Sequence, residues 1–194
     1  MKGFFAMLSR MKYINRWGLM RAARTETLSE HTLDVAVLTH ALIEIGNTQF
    51  GNKLDAGKGV LLALYHDSAE ILTGDMPTPV KYHDSTVHDA YKTLETQSLS
   101  RLLCMLPDEL KPKFERYVKP DDWAKEYIPY IKAADKLSAL IKCIEEKKSG
   151  NCDFDRAFEA TLNHSSLKIP EAQVFINEYL PAYYLTLDDI EKFD

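Results

Sequence analysis

Apolar positions recur along this chain at intervals of three and four, and sustained alternation is absent, a pattern of helices rather than strands. The first run places Phe4, Leu8, Met11 and Ile14 on one stripe and predicts an amphipathic helix over residues 4 to 14, ended by Asn15-Arg16-Trp17-Gly18. Thr27-Leu28-Ser29-Glu30 reads as a capping box, in which the Thr hydroxyl and the Glu carboxylate each satisfy a free backbone donor at a helix start. The stripe Leu28, His31, Val35, Leu38, Leu42, Ile45 carries that helix to about Ile45 and turns His31 inward. A third helix is predicted from about Ala56 to Leu72, bearing Val60, Leu64, His66, Asp67 and Glu70, with Thr73-Gly74-Asp75 as its stop. Met76-Pro77-Thr78-Pro79 is predicted extended, because each proline disfavours the helical region for its predecessor.

Residues 84 to 106 read as a long helix, and Pro107-Asp108-Glu109-Leu110 restarts the chain in another. Tyr127, Tyr130, Ala134, Leu137, Ile141 and Ile144 share a stripe over residues 127 to 148, with Pro129 tolerated in the first turn and Gly150 closing the helix. Asp135 lies beside that stripe, and further helices are predicted near 153 to 164 and 171 to 184. Nothing resembling a linker, repeat or low-complexity tract divides the chain, so residues 1–194 read as a single all-α domain, an irregular helical bundle.

A hydrophobic content of 45% over 194 residues is enough for a substantial core. The longest purely apolar stretch, Val60 to Tyr65, falls far short of the roughly 18 residues of a membrane span, so no membrane association is expected. Gly3 to Leu8 is too brief for a signal-peptide core. Cys104, Cys143 and Cys152 form no Cys-x-x-Cys pair and suit the reduced thiols of a cytoplasmic protein. The net charge of −5 is unevenly placed, since Lys2, Arg10, Lys12, Arg16, Arg21 and Arg24 all precede the first acidic residue, Glu26. A transit peptide would be richer in serine than this stretch, which holds only Ser9 and has apolar residues at helical spacing. The acidic remainder disfavours a nucleic-acid polymer as partner and leaves room for a small anion at one positive site.

The sharpest local signal is Tyr65-His66-Asp67-Ser68-Ala69-Glu70, where Glu70 stands at i+4 from His66 and i+3 from Asp67 and covers the same patch. Taken singly, its members and their distant counterparts have plain explanations. His31 fits a hydrogen-bonded core histidine, and Asp135 fits a surface aspartate paired with Lys132 or Lys136. Together, three helices each bring an acid or an imidazole to an inward face, and burying such groups uncompensated costs several kcal/mol. A divalent cation is the economical compensation. His31, His66, Asp67 and Asp135 offer two nitrogens and two oxygens, a mixed set that suits Mn²⁺, Co²⁺, Fe²⁺ or Mg²⁺ better than a closed structural zinc site.

His31, then His66-Asp67, then Asp135 is the H…HD…D order of the HD-domain phosphohydrolase superfamily. Asn15-Arg16-Trp17 ahead of Glu30-His31, the run Tyr65 to Glu70, Thr73-Gly74-Asp75-Met76-Pro77-Thr78-Pro79-Val80-Lys81 and Lys132-Ala133-Ala134-Asp135 extend the likeness. Along nearly its whole length the chain resembles the bacterial 5'-deoxynucleotidases. That resemblance implies hydrolysis of deoxyribonucleoside 5'-monophosphates by a cytoplasmic homodimer, with Co²⁺ or Mn²⁺ as effective metals and Mg²⁺, Fe²⁺, Cu²⁺ or Zn²⁺ as further options. It implies that Arg16 holds the phosphate, that Trp17 lies against the sugar and disfavours a 2'-hydroxyl, and that His31 adjoins the substrate as well as the metal. Against these roles stand a surface salt bridge for Arg16 and an ordinary core aromatic for Trp17. Glu70 and Asp75 are the candidates for proton transfer; Asp75 could equally bind the 3'-hydroxyl or simply end a helix. Thr78 and Lys81 would reach the nucleotide from the Pro-bounded loop.

Two other readings stay open. One is an HD phosphohydrolase acting on nucleoside triphosphates, alarmones or cyclic dinucleotides, disfavoured because few basic residues cluster near Arg16. The other is a non-catalytic module in which the cation only joins helices, disfavoured because such a site has no use for Glu70 and Asp75. The stretch Tyr179 to Leu185 is the candidate apolar face for a dimer.

Overall fold

The computed structural model describes residues 2–81 and 83–192. Among the described residues eleven α-helices follow one another: α1 (Phe4–Leu8), α2 (Leu28–Gln49), α3 (Ala56–Tyr65), α4 (Glu70–Thr73), α5 (Thr78–Lys81), α6 (Ser85–Leu103), α7 (Lys111–Val118), α8 (Ile128–Lys148), α9 (Asp155–Leu162), α10 (Pro170–Val174) and α11 (Leu187–Ile190). Among the described residues there is no strand; the only β pairing is the isolated antiparallel bridge between Asn15 and Thr27. The all-α bundle expected from the apolar periodicity is therefore what the chain forms.

Helix α2 starts where the capping box places it. The Thr27 hydroxyl accepts from the Glu30 backbone N–H at 3.3 Å, and the Glu30 carboxylate accepts from the Thr27 N–H at 2.8 Å. It packs along α3 on one side and α8 on another, and Val35, Leu38, Leu42, Leu62, Leu137, Leu140 and Ile144 form the main core between them. A second, smaller core gathers Phe4, Met11, Leu28, Ile71, Leu102, Leu103 and Val118 from α1, the 3₁₀ helix Ser9–Tyr13, α4, α6, α7 and the start of α2. The two cores meet along α2 between Leu28 and Val35, and along the α3–α4 segment between Ala63 and Ile71. His31 and the run from His66 to Glu70 fall in that seam.

The antiparallel approach of α2 and α3 depends on Gly59. A Cβ built there would lie 2.3 Å from Ile43 Cδ1 and 3.4 Å from Thr39 Cγ2, so no side chain fits without displacing a fully buried isoleucine.

Several boundaries differ from the sequence expectation. The helix expected over 4 to 14 is α only to Leu8 and tightens to a 3₁₀ helix over Ser9–Tyr13. The helix expected to run to Leu72 ends at Tyr65; residues 66 to 69 form tight turns in which His66, Ser68 and Glu70 donate to the carbonyls three residues back. Met76-Pro77-Thr78-Pro79 is not fully extended, since α5 begins at Thr78 and the Pro77 carbonyl accepts from both Val80 and Lys81. Pro79 sits in the first turn, where its missing N–H has no helical partner to lose. The helix predicted near 171 to 184 divides into α10, a π turn over Phe175–Tyr179 and a 3₁₀ turn over Leu180–Tyr184 that admits Pro181.

Candidate active site

His31 is fully buried on α2, and its Nδ1 lies 3.1 Å from the Ser138 hydroxyl of α8. His66, at the end of α3, places Nδ1 2.7 Å from the Ala63 carbonyl, which can only accept, so Nδ1 carries the proton of the neutral ring and Nε2 presents a lone pair. Both Nε2 atoms are buried without a hydrogen-bond partner. Each instead faces carboxylate: His31 Nε2 is 3.5 Å from Asp67 Oδ2 and 3.3 Å from Asp135 Oδ1, and His66 Nε2 is 3.1 Å from Asp67 Oδ2. Ligand atoms of His31, His66 and Asp67 lie within 4.8 Å of one another. Lone pairs aimed at carboxylates repel unless a cation or a proton stands between them, so this donor set fits a divalent metal. Asp135 of α8 stands beside this group, 3.3 Å from His31 Nε2, but outside the three residues whose ligand atoms lie within 4.8 Å of one another, and its other oxygen accepts from Lys136 Nζ at 2.9 Å, the ion pair weighed for it from the sequence.

The electrostatics agree with that reading. Burial works against the charged form of His66, but Asp67 beside it outweighs this and raises its pKa to about 9. Burial likewise opposes ionisation of Asp67 and Asp135; the two histidines beside Asp67, and His31 and Lys136 beside Asp135, hold both carboxyls below the usual range. Glu70 behaves oppositely. It is buried at the start of α4 with Oε2 unpartnered, and burial together with the charges of Asp67 and Asp75 pushes it up to about 9. It therefore holds a proton near neutrality.

Arg16 and Trp17 stand in the loop between the 3₁₀ turn and α2. The neck of this loop is closed by Arg16 N–H donating to the Glu26 carbonyl at 2.9 Å and Leu28 N–H donating to Ile14 at 2.8 Å. Trp17 has φ of 62°, the only non-glycine in the left-handed region among the described residues. Its indole N–H donates to Glu26 Oε2 at 2.6 Å, and its ring lies 5.2 Å from that of Phe154. Arg16 Nη1 donates to the same Glu26 oxygen at 3.0 Å. Asp75 is raised by burial, against the lowering pull of Arg16 and the Trp17 N–H; Asp67 also raises it, which places Asp75 between the loop and the acid-imidazole cluster.

Lys81 stands apart from these groups in its pairing. It binds Glu95 of α6 at 2.9 Å and lies over the Tyr91 ring at 4.8 Å, although it still exerts a lowering pull on Glu70. Thr78 is exposed at the first position of α5. The sequence reading missed Glu26, visible there only as the end of a basic run, and it missed Ser138. It also missed the buried ion pair of Lys142 and Glu146 on α8, at 2.6 Å, which binds the loop from behind. Lys142 donates to the Arg24 carbonyl at 2.6 Å, and Glu146 accepts from the Ala23 N–H and from Asn151, each at 2.7 Å.

The profile of the family described as 5'-deoxynucleotidase YfbR-like matches residues 3–183. The chain belongs to that family. The 5'-deoxynucleotidase YfbR of Salmonella paratyphi B is 45% identical over 192 residues, covering 97% of this chain and 96% of that one, and YfbR of Salmonella newport matches to the same extent. Among solved structures, an HD-domain phosphohydrolase from Listeria innocua superposes with a TM-score of 0.80 at 21% identity, covering 93% of this chain and 87% of that chain. The cyanophage S-2L HD phosphohydrolase DatZ, bound to dA and one catalytic Zn²⁺ ion, gives a TM-score of 0.60 at 19% identity over 93% of this chain and 96% of its own. The HD-domain fold and the likeness to the bacterial 5'-deoxynucleotidases expected from the sequence motifs are both borne out.

Proposed function

We propose that this protein is a metal-dependent phosphoric monoester hydrolase that converts deoxyribonucleoside 5'-monophosphates to deoxynucleoside and phosphate. The observation that carries the reading is the pair of buried, partnerless Nε2 atoms facing Asp67 and Asp135, beside the buried Glu70 carboxyl whose Oε2 also has no partner. Phosphate monoesters are among the slowest of biological substrates to hydrolyse unaided, so the site must neutralise charge and manage protons together. A divalent cation held by His31, His66, Asp67 and Asp135 supplies Lewis acidity, lowering the pKa of water and offsetting phosphate charge.

The chain's own groups divide the remaining work. Arg16 offers a planar guanidinium to the phosphate, a bidentate task for which its fork is suited. Trp17 offers its ring to the sugar, and Asp75 is assigned to a sugar hydroxyl or a departing 5'-oxygen. Glu70, whose carboxyl burial pushes up, is assigned as the proton donor to that oxygen. Lys81 and Thr78 are proposed as outer contacts, with Lys81 acting by charge because Glu95 holds its ammonium. The mixed nitrogen and oxygen donors support Co²⁺ or Mn²⁺ as the working ion. The exposed side chains Tyr179, Tyr183, Tyr184 and Leu185 support a homodimer, and the three unpaired cysteines support a cytoplasmic setting.

The test is a Co²⁺-supplemented phosphate-release assay on deoxyribo- and ribonucleoside 5'-monophosphates. Faster turnover of the deoxy series is expected, with Glu70→Ala keeping metal and fold while losing about a hundredfold or more in kcat. Equal rates on both sugars, or release of pyrophosphate or triphosphate from nucleotides with monophosphates left intact, would sink the assignment.

A further inference from the structure

Glu26 has none of the marks of a reacting group, yet it is 6% exposed and both of its polar faces are committed to the substrate loop. Its carbonyl receives the Arg16 backbone N–H, and its Oε2 alone receives both Arg16 Nη1 at 3.0 Å and Trp17 Nε1 at 2.6 Å. We propose that Glu26 is a positioning residue for sugar selection, its single oxygen yoking the guanidinium that meets the phosphate to the indole that meets the sugar. The inference rests on the deoxynucleotidase reading above.

In a nucleoside 5'-monophosphate the spacing from phosphate to ribose is set by covalent bonds. A receptor with a phosphate group and a sugar plate that move independently would yield to a 2'-hydroxyl by shifting the plate. Here the plate is fixed at its indole N–H by Glu26 and along its ring by Phe154, in a left-handed backbone conformation that L side chains seldom adopt. Moving the indole stretches its bond to the oxygen that also holds Arg16. A ribonucleotide then meets a crowded sugar plate and a weakened phosphate grip at once, so selectivity exceeds what the ring's bulk alone gives.

The test is a double-mutant cycle on the metal-loaded enzyme with Glu26→Gln, Trp17→Phe and both together. Each is assayed for kcat and KM on a deoxyribo- and a ribonucleoside monophosphate of the same base. Both replacements are close in shape to the originals, so the fold is retained. Each single change is expected to cut the deoxy-to-ribo ratio of kcat/KM about tenfold, and the double no further than the deeper single, as for residues acting as one unit. Glu26→Gln should raise KM for the deoxynucleotide more than it lowers kcat. The protein has two tryptophans, so in a Trp123→Phe background Glu26→Gln should also move the Trp17 emission to longer wavelength, a readout free of turnover. A parental ratio in Glu26→Gln, or losses that multiply in the double variant, overturns the proposal. A parent enzyme without deoxy preference overturns the underlying reading first, before any variant is made.

Discussion

The cluster of His31, His66, Asp67 and Asp135 and the loop carrying Arg16 and Trp17 lie side by side but are built by opposite means. The cluster draws its ligands from α2, the end of α3 and α8, long elements whose positions are fixed by apolar packing, and each ligand needs at most one local tether. The loop has no regular structure over residues 14 to 26 beyond a turn at its tip and its closing bridge. It is held by two buried carboxylates, Glu26 from within and Glu146 from behind. Packing therefore sets the geometry of the proposed metal ligands, while ion pairs and hydrogen bonds set that of the proposed substrate loop. The two halves should fail differently.

The largest expected effect is on the cluster. Asp67→Ala should lower kcat by about a thousandfold or more and abolish stoichiometric Co²⁺ uptake, with the circular-dichroism spectrum of a helical bundle retained. Retained metal at full stoichiometry would mean that the other ligands suffice. Next comes the loop. Lys142→Met leaves the Glu146 carboxylate buried without its partner and should cost about 3 kcal/mol in chemical denaturation. Co²⁺ stoichiometry should survive and KM should rise, and a loss of metal in this variant would erase the contrast between the two regions. The smallest effect is one of pH. Burial lowers the His66 pKa but Asp67 outweighs it, so the folded metal-free protein binds this proton up to about pH 9, against 6.5 for an ordinary histidine. Proton and cation compete for Nε2, so Co²⁺ affinity should climb as pH rises from 6.5 towards 9, by up to about tenfold per unit. The metal-free fold correspondingly loses the stability it draws from protonated His66 across the same window, and metal protection against heating should widen with it. Titrations that give one affinity at every pH would assign His66 no such proton.

The cluster was legible in the sequence because its residues sit on or beside inward stripes, where an ionisable group is conspicuous. The loop was not. Glu146 meets the Ala23 N–H across 123 residues, and Ser138 meets His31 across 107, separations at which side-chain pairing leaves no periodic trace. The left-handed backbone of Trp17 escaped notice because glycine is the usual marker of that conformation. The break after Tyr65 carries neither glycine nor proline, so the apolar pattern ran through it. Pro77 and Pro79 misled in the other direction, since a proline that breaks a helix interior is harmless in a first turn. Glu26 was seen as charge and missed as structure, because its partners Arg16 and Trp17 were read as facing substrate rather than one another.

Gly59 carries no chemistry, but it acts as a spacer by being small. It stands seven residues before His66 on α3, about 10 Å along the helix, against the α2 residues Thr39 and Ile43. Metal–ligand bonds tolerate only about 0.2 Å of error. A methyl group added at Gly59 would wedge two rods apart near their middle, and the gap would be felt where they converge on the proposed metal ligands. The calibration of the coordination sphere is thus kept at a distance from it, by an atom the chain leaves out.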